Sequence, residues 1–160
     1  MTGAHIHLLL NHFPITGGLV ALALLAYGWL SRNNTALRAA CALFAVLALF
    51  AVATYLSGEP AEHVLERQAG FAEDLVEPHE EAAIYALVTY CLLGLLALYT
   101  LLRYARREVP RGLATALLLL SLVSVAAAAR VGWLGGPITH QELRAGGVQP
   151  APAEQEEQPD

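Results

Sequence analysis

Residues 82–102 read AAIYALVTYCLLGLLALYTLL, twenty-one residues without a charge. A helix rises about 1.5 Å per residue and the hydrocarbon core of a bilayer is about 30 Å thick, so roughly 20 apolar residues suffice to span it. The stretch is therefore read as a membrane span. One stripe through it, with the start of the same helix, is His79, Ala83, Ala86, Tyr90, Gly94 and Ala97. The spacing of three or four puts these residues on one face. Small residues on one stripe let helices approach closely, so this face is expected to meet other helices. His79 then points towards the bundle interior at one end.

Three further runs pass the same test: Leu8–Leu30 (interrupted by Asn11, His12 and Pro14), Ala36–Leu56 and Leu113–Leu134. The chain is 56% hydrophobic and 14% charged over 160 residues. A soluble domain carries roughly 25% charged residues. The fold class expected is all-α, an integral membrane four-helix bundle over residues 1–144. No Lys or Arg precedes the first run, and His12 and Pro14 interrupt it, so it reads as a retained span rather than a signal peptide. The tail, residues 145–160, is Gly, Pro, Gln and Glu and is expected to be disordered.

Arginines set the expected orientation. Arg32 and Arg38 flank the first connection, and Arg103, Arg106, Arg107 and Arg111 the third. Arg67, Arg130 and Arg144 lie on the other side with most of the acids. The positive-inside rule makes the Arg-rich turns cytoplasmic. Both termini and the loop Gly58–Glu81 then face out from a bacterial inner membrane. The net charge of -5 reflects an acidic outer face, and nucleic acid is not an expected partner. Cys41 and Cys91 lie at different depths and are expected to be unpaired, small core hydrophobes.

Prolines and glycines mark the breaks. Pro14 cannot donate back to Leu10, so His5–Phe13 is a kinked extension of the first span or a separate entry turn. Gly17, Gly18 and Ala21 allow close contact beyond it, and Tyr27 and Trp29 anchor an interface. Pro60 and Pro78 suit the first positions of helices, so one or two short interfacial helices are expected, with Gly70 as a break. Gly135-Gly136-Pro137 should end the last span.

All six histidines (His5, His7, His12, His63, His79 and His140) fall on the same side of this topology. Imidazole ligates haem iron and many other metals. A four-helix bundle can hold haem b between two histidines. His12 and His79, each at a helix start, form the preferred pair, with His7 and His140 in reserve. Arg130 would pair with a propionate, and Trp133 and Tyr90 would pack around the ring. Mixed ligands for iron, copper or zinc are the alternative, from Glu59, Glu62, His63, Glu80 and Glu142. The paired Glu-x-x-His motifs of di-iron bundles are absent. There is no nucleophile elbow, phosphate loop or dinucleotide fingerprint, and mid-span charges suited to a transporter are missing.

The stretch His7-Leu-Leu-Leu-Asn-His12-Phe-Pro14 resembles the start of a family of bacterial four-span membrane proteins of unknown function. That family opens with His, four residues, then His-Phe-Pro, and carries a glycine pair after its last span. The further matching stretches are Gly58-Glu59-Pro60-Ala61-Glu62, His79-Glu80 and Gly135-Gly136-Pro137-Ile138-Thr139-His140. The resemblance touches all four spans. It implies the same fold and marks His7, His12, His79 and His140.

The expected function is a small b-type cytochrome or haem-binding redox subunit. It would transfer electrons near the outer face, with a quinone or a periplasmic redox protein as partner. The alternatives are a cofactor-free accessory subunit beside other membrane subunits, and a His/Glu metal-binding protein.

Overall fold

Two local signals place the first connection. Arg32 adopts the left-handed conformation, φ 54°, which ends the preceding helix as a C-cap does. Asn33 is extended, and its Oδ1 accepts from the Ala36 amide at 3.1 Å, which caps the next helix. In a computed structural model, which describes residues 3–67, 71–140 and 143–144, punctuation of this kind divides the chain into six α-helices. They are α1 (Gly3–Leu10), α2 (Gly18–Ser31), α3 (Asn34–Leu56), α4 (Gly58–Leu65), α5 (Val76–Arg103) and α6 (Arg111–Thr139). A π turn, Phe13–Gly17, joins α1 to α2, and a 3₁₀ turn, Glu73–Leu75, leads into α5. No strand occurs among the described residues.

Among the described residues, four stretches are long and apolar enough to cross a membrane: His5–Ser31, Asn34–Leu65, Glu73–Arg103 and Arg111–Thr139. The long helices form a ring in which α3 packs on α2 and α5, and α6 on α5 and α2. Leu25, Phe44, Tyr90, Leu93 and Leu117 are buried at the centre. Leu19, Val20, Leu30, Leu49, Leu95 and Leu102 are exposed around the outside, where lipid is their solvent. The small stripe of α5 faces inward: Ala86, Tyr90, Gly94 and Ala97 are all buried. Gly94 lies so close to Ala48 that a Cβ there would collide with it, which lets the α3 and α5 backbones nearly touch. Cys41 is buried, Cys91 is half-buried, and both are free thiols.

The buried hydroxyls turn back on their own helices. Thr100 donates to the Leu96 carbonyl, Ser121 to Leu118 and Ser124 to Leu120. That satisfies each polar group locally, as a low-dielectric interior requires.

The helices run further than the apolar runs. Pro78 is the third residue of α5, inside the first turn, where its missing N–H has no intrahelical acceptor to lose. Gly135-Gly136-Pro137 was expected to end the last span, but α6 continues through it to Thr139. Pro137 sits in the last turn, where it removes the hydrogen bond that an N–H there would make to the Trp133 carbonyl. The interfacial helices expected between spans two and three are α4 and the 3₁₀ turn. Gly70, Glu142 and residues 145–160 lie outside the described residues.

Candidate functional site at the histidine end

The arginine-rich end of the bundle is sealed by side chains on foreign backbone. Asn34 Oδ1 accepts from the Val109 amide at 2.8 Å, and Trp29 Nε1 donates to Thr115 Oγ1 at 2.9 Å. Arg111 donates to the Trp29 carbonyl at 2.8 Å while its guanidinium lies 4.1 Å from the Trp29 ring centroid. The opposite end is assembled from shorter pieces: α1, the π turn, α4, the 3₁₀ turn and the two ends of α5 and α6. All six histidines lie in these pieces or cap them, His12 before the π turn and His140 after α6.

Pro14 explains the π turn. With no N–H it cannot continue the ladder, and the helix takes an extra residue there. Pro14 is buried and its carbonyl accepts from the Tyr90 hydroxyl, which reaches across from α5. Gly18 makes room for that hydroxyl, since a Cβ there would overlap it. Tyr90 therefore stitches the broken helix to the core.

His7 and His79 are the histidines turned inward. His79 Nδ1 donates to the Val131 carbonyl of α6 at 3.1 Å. Its ring lies against Gly135, where an added Cβ would stand 2.8 Å from Cε1. His7 Nδ1 lies 3.1 Å from the Thr54 carbonyl and 3.1 Å from Ser57 Oγ. Ser57 Oγ in turn donates to the same Thr54 carbonyl at 2.8 Å. The His7 ring faces Gly58, with Cε1 3.8 Å from where a Cβ would be. The two imidazoles are near enough to interact electrostatically. Both are half-buried.

A carbonyl oxygen only accepts, so in each ring Nδ1 carries the proton. Each Nε2 then keeps its lone pair. Protein-bound metals use imidazoles held in this way, with the second nitrogen donating to a backbone carbonyl.

His12 does not join this pair, which corrects the expected His12–His79 arrangement. Its side chain is exposed and Nδ1 folds back to the Leu8 carbonyl at 3.0 Å. The reason is helix phase. His7 and His12 are five residues apart, about 140° around a helix of 3.6 residues per turn, so both cannot face inward. His7 takes the inward side and His12 the outward one. Thr16 also donates to the His12 carbonyl at 2.7 Å, so the exposed side of the Pro14 break is satisfied locally.

The other candidates spread apart. Trp133 is 82% exposed, so it faces outwards instead of packing over an interior ring, as suits an interfacial anchor. Tyr90 is buried, but its hydroxyl is committed to Pro14. Arg130 is exposed on α6, next to the Val131 whose carbonyl holds His79. His140 is exposed at the C-cap of α6. His5 is also exposed. On α4, exposed His63 sits 3.3 Å from Glu66 and 4.0 Å from Glu59. Glu62, on α4, lies within electrostatic range of Glu80 on α5. Among the described residues no three His, Cys, Asp or Glu side chains come together as a metal-binding group. What the structure turns inward is two imidazoles; Thr54, Ser57 and Val131 hold them and were missed by sequence reading, while Gly58 and Gly135 lie against the rings. Only the Gly58 and Gly135 positions stood out beforehand, as glycines next to the marked motifs.

The fold and the half-buried histidines can be set beside known proteins. No curated protein and no solved structure matches the chain. The model of one family matches residues 3–142, nearly the whole chain. The chain belongs to that family, described as Predicted membrane protein (DUF2231).

Proposed function

We propose that this membrane protein is a small b-type cytochrome, or a haem-binding redox subunit, with His7 and His79 as the residues that would hold the haem. The observation that carries the reading is the pair itself: two half-buried imidazoles from different helices, each with Nδ1–H spent on a carbonyl and Nε2 left with its lone pair. Two imidazoles alone suit a metal that brings its other ligands with it, as haem iron does. A bare zinc or non-haem iron ion needs three or four protein ligands. Haem b, when bound, would supply one-electron transfer.

The protein's part is to hold the donors. Thr54 and Ser57 orient His7, and Val131 orients His79. Gly135 keeps a side chain out of the His79 ring's place, and the surrounding helices limit water. Arg130 is the basic side chain of α6 nearest this end and is suited to a propionate. With the arginine-rich end in the cytoplasm, the site lies near the outer face, where a quinone or a periplasmic redox protein would exchange electrons with it.

A second reading has its own support. Each imidazole already ties two helices together, which a cofactor-free accessory subunit would also need. The visible spectrum separates the two. Protein purified from haem-supplied cells should be red, with a Soret band that shifts on reduction by dithionite. Colourless protein under those conditions would favour the accessory reading. Metal analysis of the same sample would reveal copper, the ion able to bind two imidazoles alone.

A further inference from the structure

The other end of the molecule carries an unbalanced charge. Arg32, Arg38, Arg103, Arg106, Arg107 and Arg111 stand there against one acid, Glu108. None of these six forms an ion pair with a carboxylate among the described residues. Two of the arginines are brought together. Arg38, near the start of α3, donates from Nη2 to the Arg107 carbonyl at 2.9 Å, which sets one guanidinium beside the residue that bears another. Arg38 Nε is buried without an acceptor.

Six arginines against one acid leave this end with an excess of positive charge, which an anion from outside can balance. Tyr99 and Leu102, at the end of α5, are exposed beside this cluster, so it lies where a headgroup meets acyl chains. Arg103 also leans over Tyr104, its guanidinium 5.6 Å from the ring centroid.

We propose that Arg38 and Arg107, with Arg103 and Arg106 beside them, form a binding site for the phosphate of an anionic phospholipid. The guanidinium groups hold the phosphate, and the acyl chains lie along the outer faces of α3 and α5, over Leu43, Leu98 and Leu102. The arginine-rich end then does more than obey a topology rule: it holds a particular lipid between two spans. The site is independent of the histidine pair.

The test uses the full chain in neutral detergent, titrated with phosphatidylglycerol or phosphatidylcholine and read by native mass spectrometry. Phosphatidylglycerol should be retained and phosphatidylcholine should not. The double variant Arg38→Gln/Arg107→Gln should bind phosphatidylglycerol roughly thirtyfold more weakly, at about a factor of five per basic residue near an anionic headgroup. Arg32→Gln, on the neighbouring connection, should change it little. Arg38→Lys/Arg107→Lys keeps the charge and should recover part of the affinity. Equal retention of both lipids, or full retention by the double glutamine variant, would overturn the proposal. So would inorganic phosphate at equal concentration displacing the lipid, since the site would then be one for free phosphate. The melting temperature of the glutamine variant without lipid checks that it folds. If it does not fold, the lysine variant and wild type against phosphatidylcholine carry the decision.

Discussion

The two ends of the bundle use one device for different purposes. At the arginine-rich end, Asn34, Trp29, Arg38 and Arg111 make hydrogen bonds that lock one helix end to another. At the histidine end, His7 and His79 do the same with Thr54 and Val131. The difference lies in what remains after the bond is made. Arginine, asparagine and tryptophan have no free lone pair on nitrogen to offer a metal. A neutral imidazole that donates from Nδ1 still has Nε2. Equivalent architecture therefore leaves one end with no spare nitrogen lone pair and the other with two.

The largest effect expected outside the two proposed haem-holding histidines is at Gly135. At an open helix position Gly→Ala stabilises by up to about 1 kcal/mol. Here the new Cβ would stand 2.8 Å from His79 Cε1 and 3.1 Å from Nδ1. Gly135→Ala should push the ring off the Val131 carbonyl, lower stability by about 1–3 kcal/mol and reduce cofactor retention. Unfolding in mixed detergent measures the first, and absorbance per mole of protein the second. A stabilised variant with full absorbance would mean that the ring has room to spare.

Tyr90→Phe sharpens the link between the core and the histidine end. It removes the hydroxyl that holds the Pro14 carbonyl, at a cost of about 1 kcal/mol for an interhelical bond in a membrane. Faster hydrogen exchange should appear in the π turn and α1, and not at the α2–α3 turn. Uniform exchange along the chain would break the assignment of Tyr90 to that stitch.

At the other end, Asn33→Ala removes the cap on α3 and should cost about 1 kcal/mol in the same unfolding assay, without changing any visible spectrum. The smallest change is Gly112→Ala, with nothing within 4 Å of the new Cβ. It should stabilise by about 0.5–1 kcal/mol. The opposite signs expected at Gly112 and Gly135 are a direct check on the contrast between the ends.

The spans were legible because a bilayer demands long apolar runs, and the α5 stripe was legible because it stays in one regular helix. Pro78 marks the start of α5 through purely local chemistry. The inward pair was harder to read. His12 looked favourable as a residue at a helix start, but facing depends on phase, and five residues after His7 it stands about 140° away around the helix. His7 rather than His12 then points in. The supports of the pair were hidden for another reason: Thr54 and Val131 act through backbone carbonyls, which every residue type presents. Pro137 was misread as a terminator because a proline weakens the turn before it without always ending the helix, and α6 runs on to Thr139.

The central claim is the identity of the inward pair and what it holds. Visible spectra of haem-supplied wild type, His7→Ala, His79→Ala and His12→Ala, prepared in parallel, test it most directly. The account predicts a Soret band in wild type and in His12→Ala, and its loss in both His7→Ala and His79→Ala. Loss in His12→Ala with retention in His7→Ala would contradict it, and so would a colourless wild type.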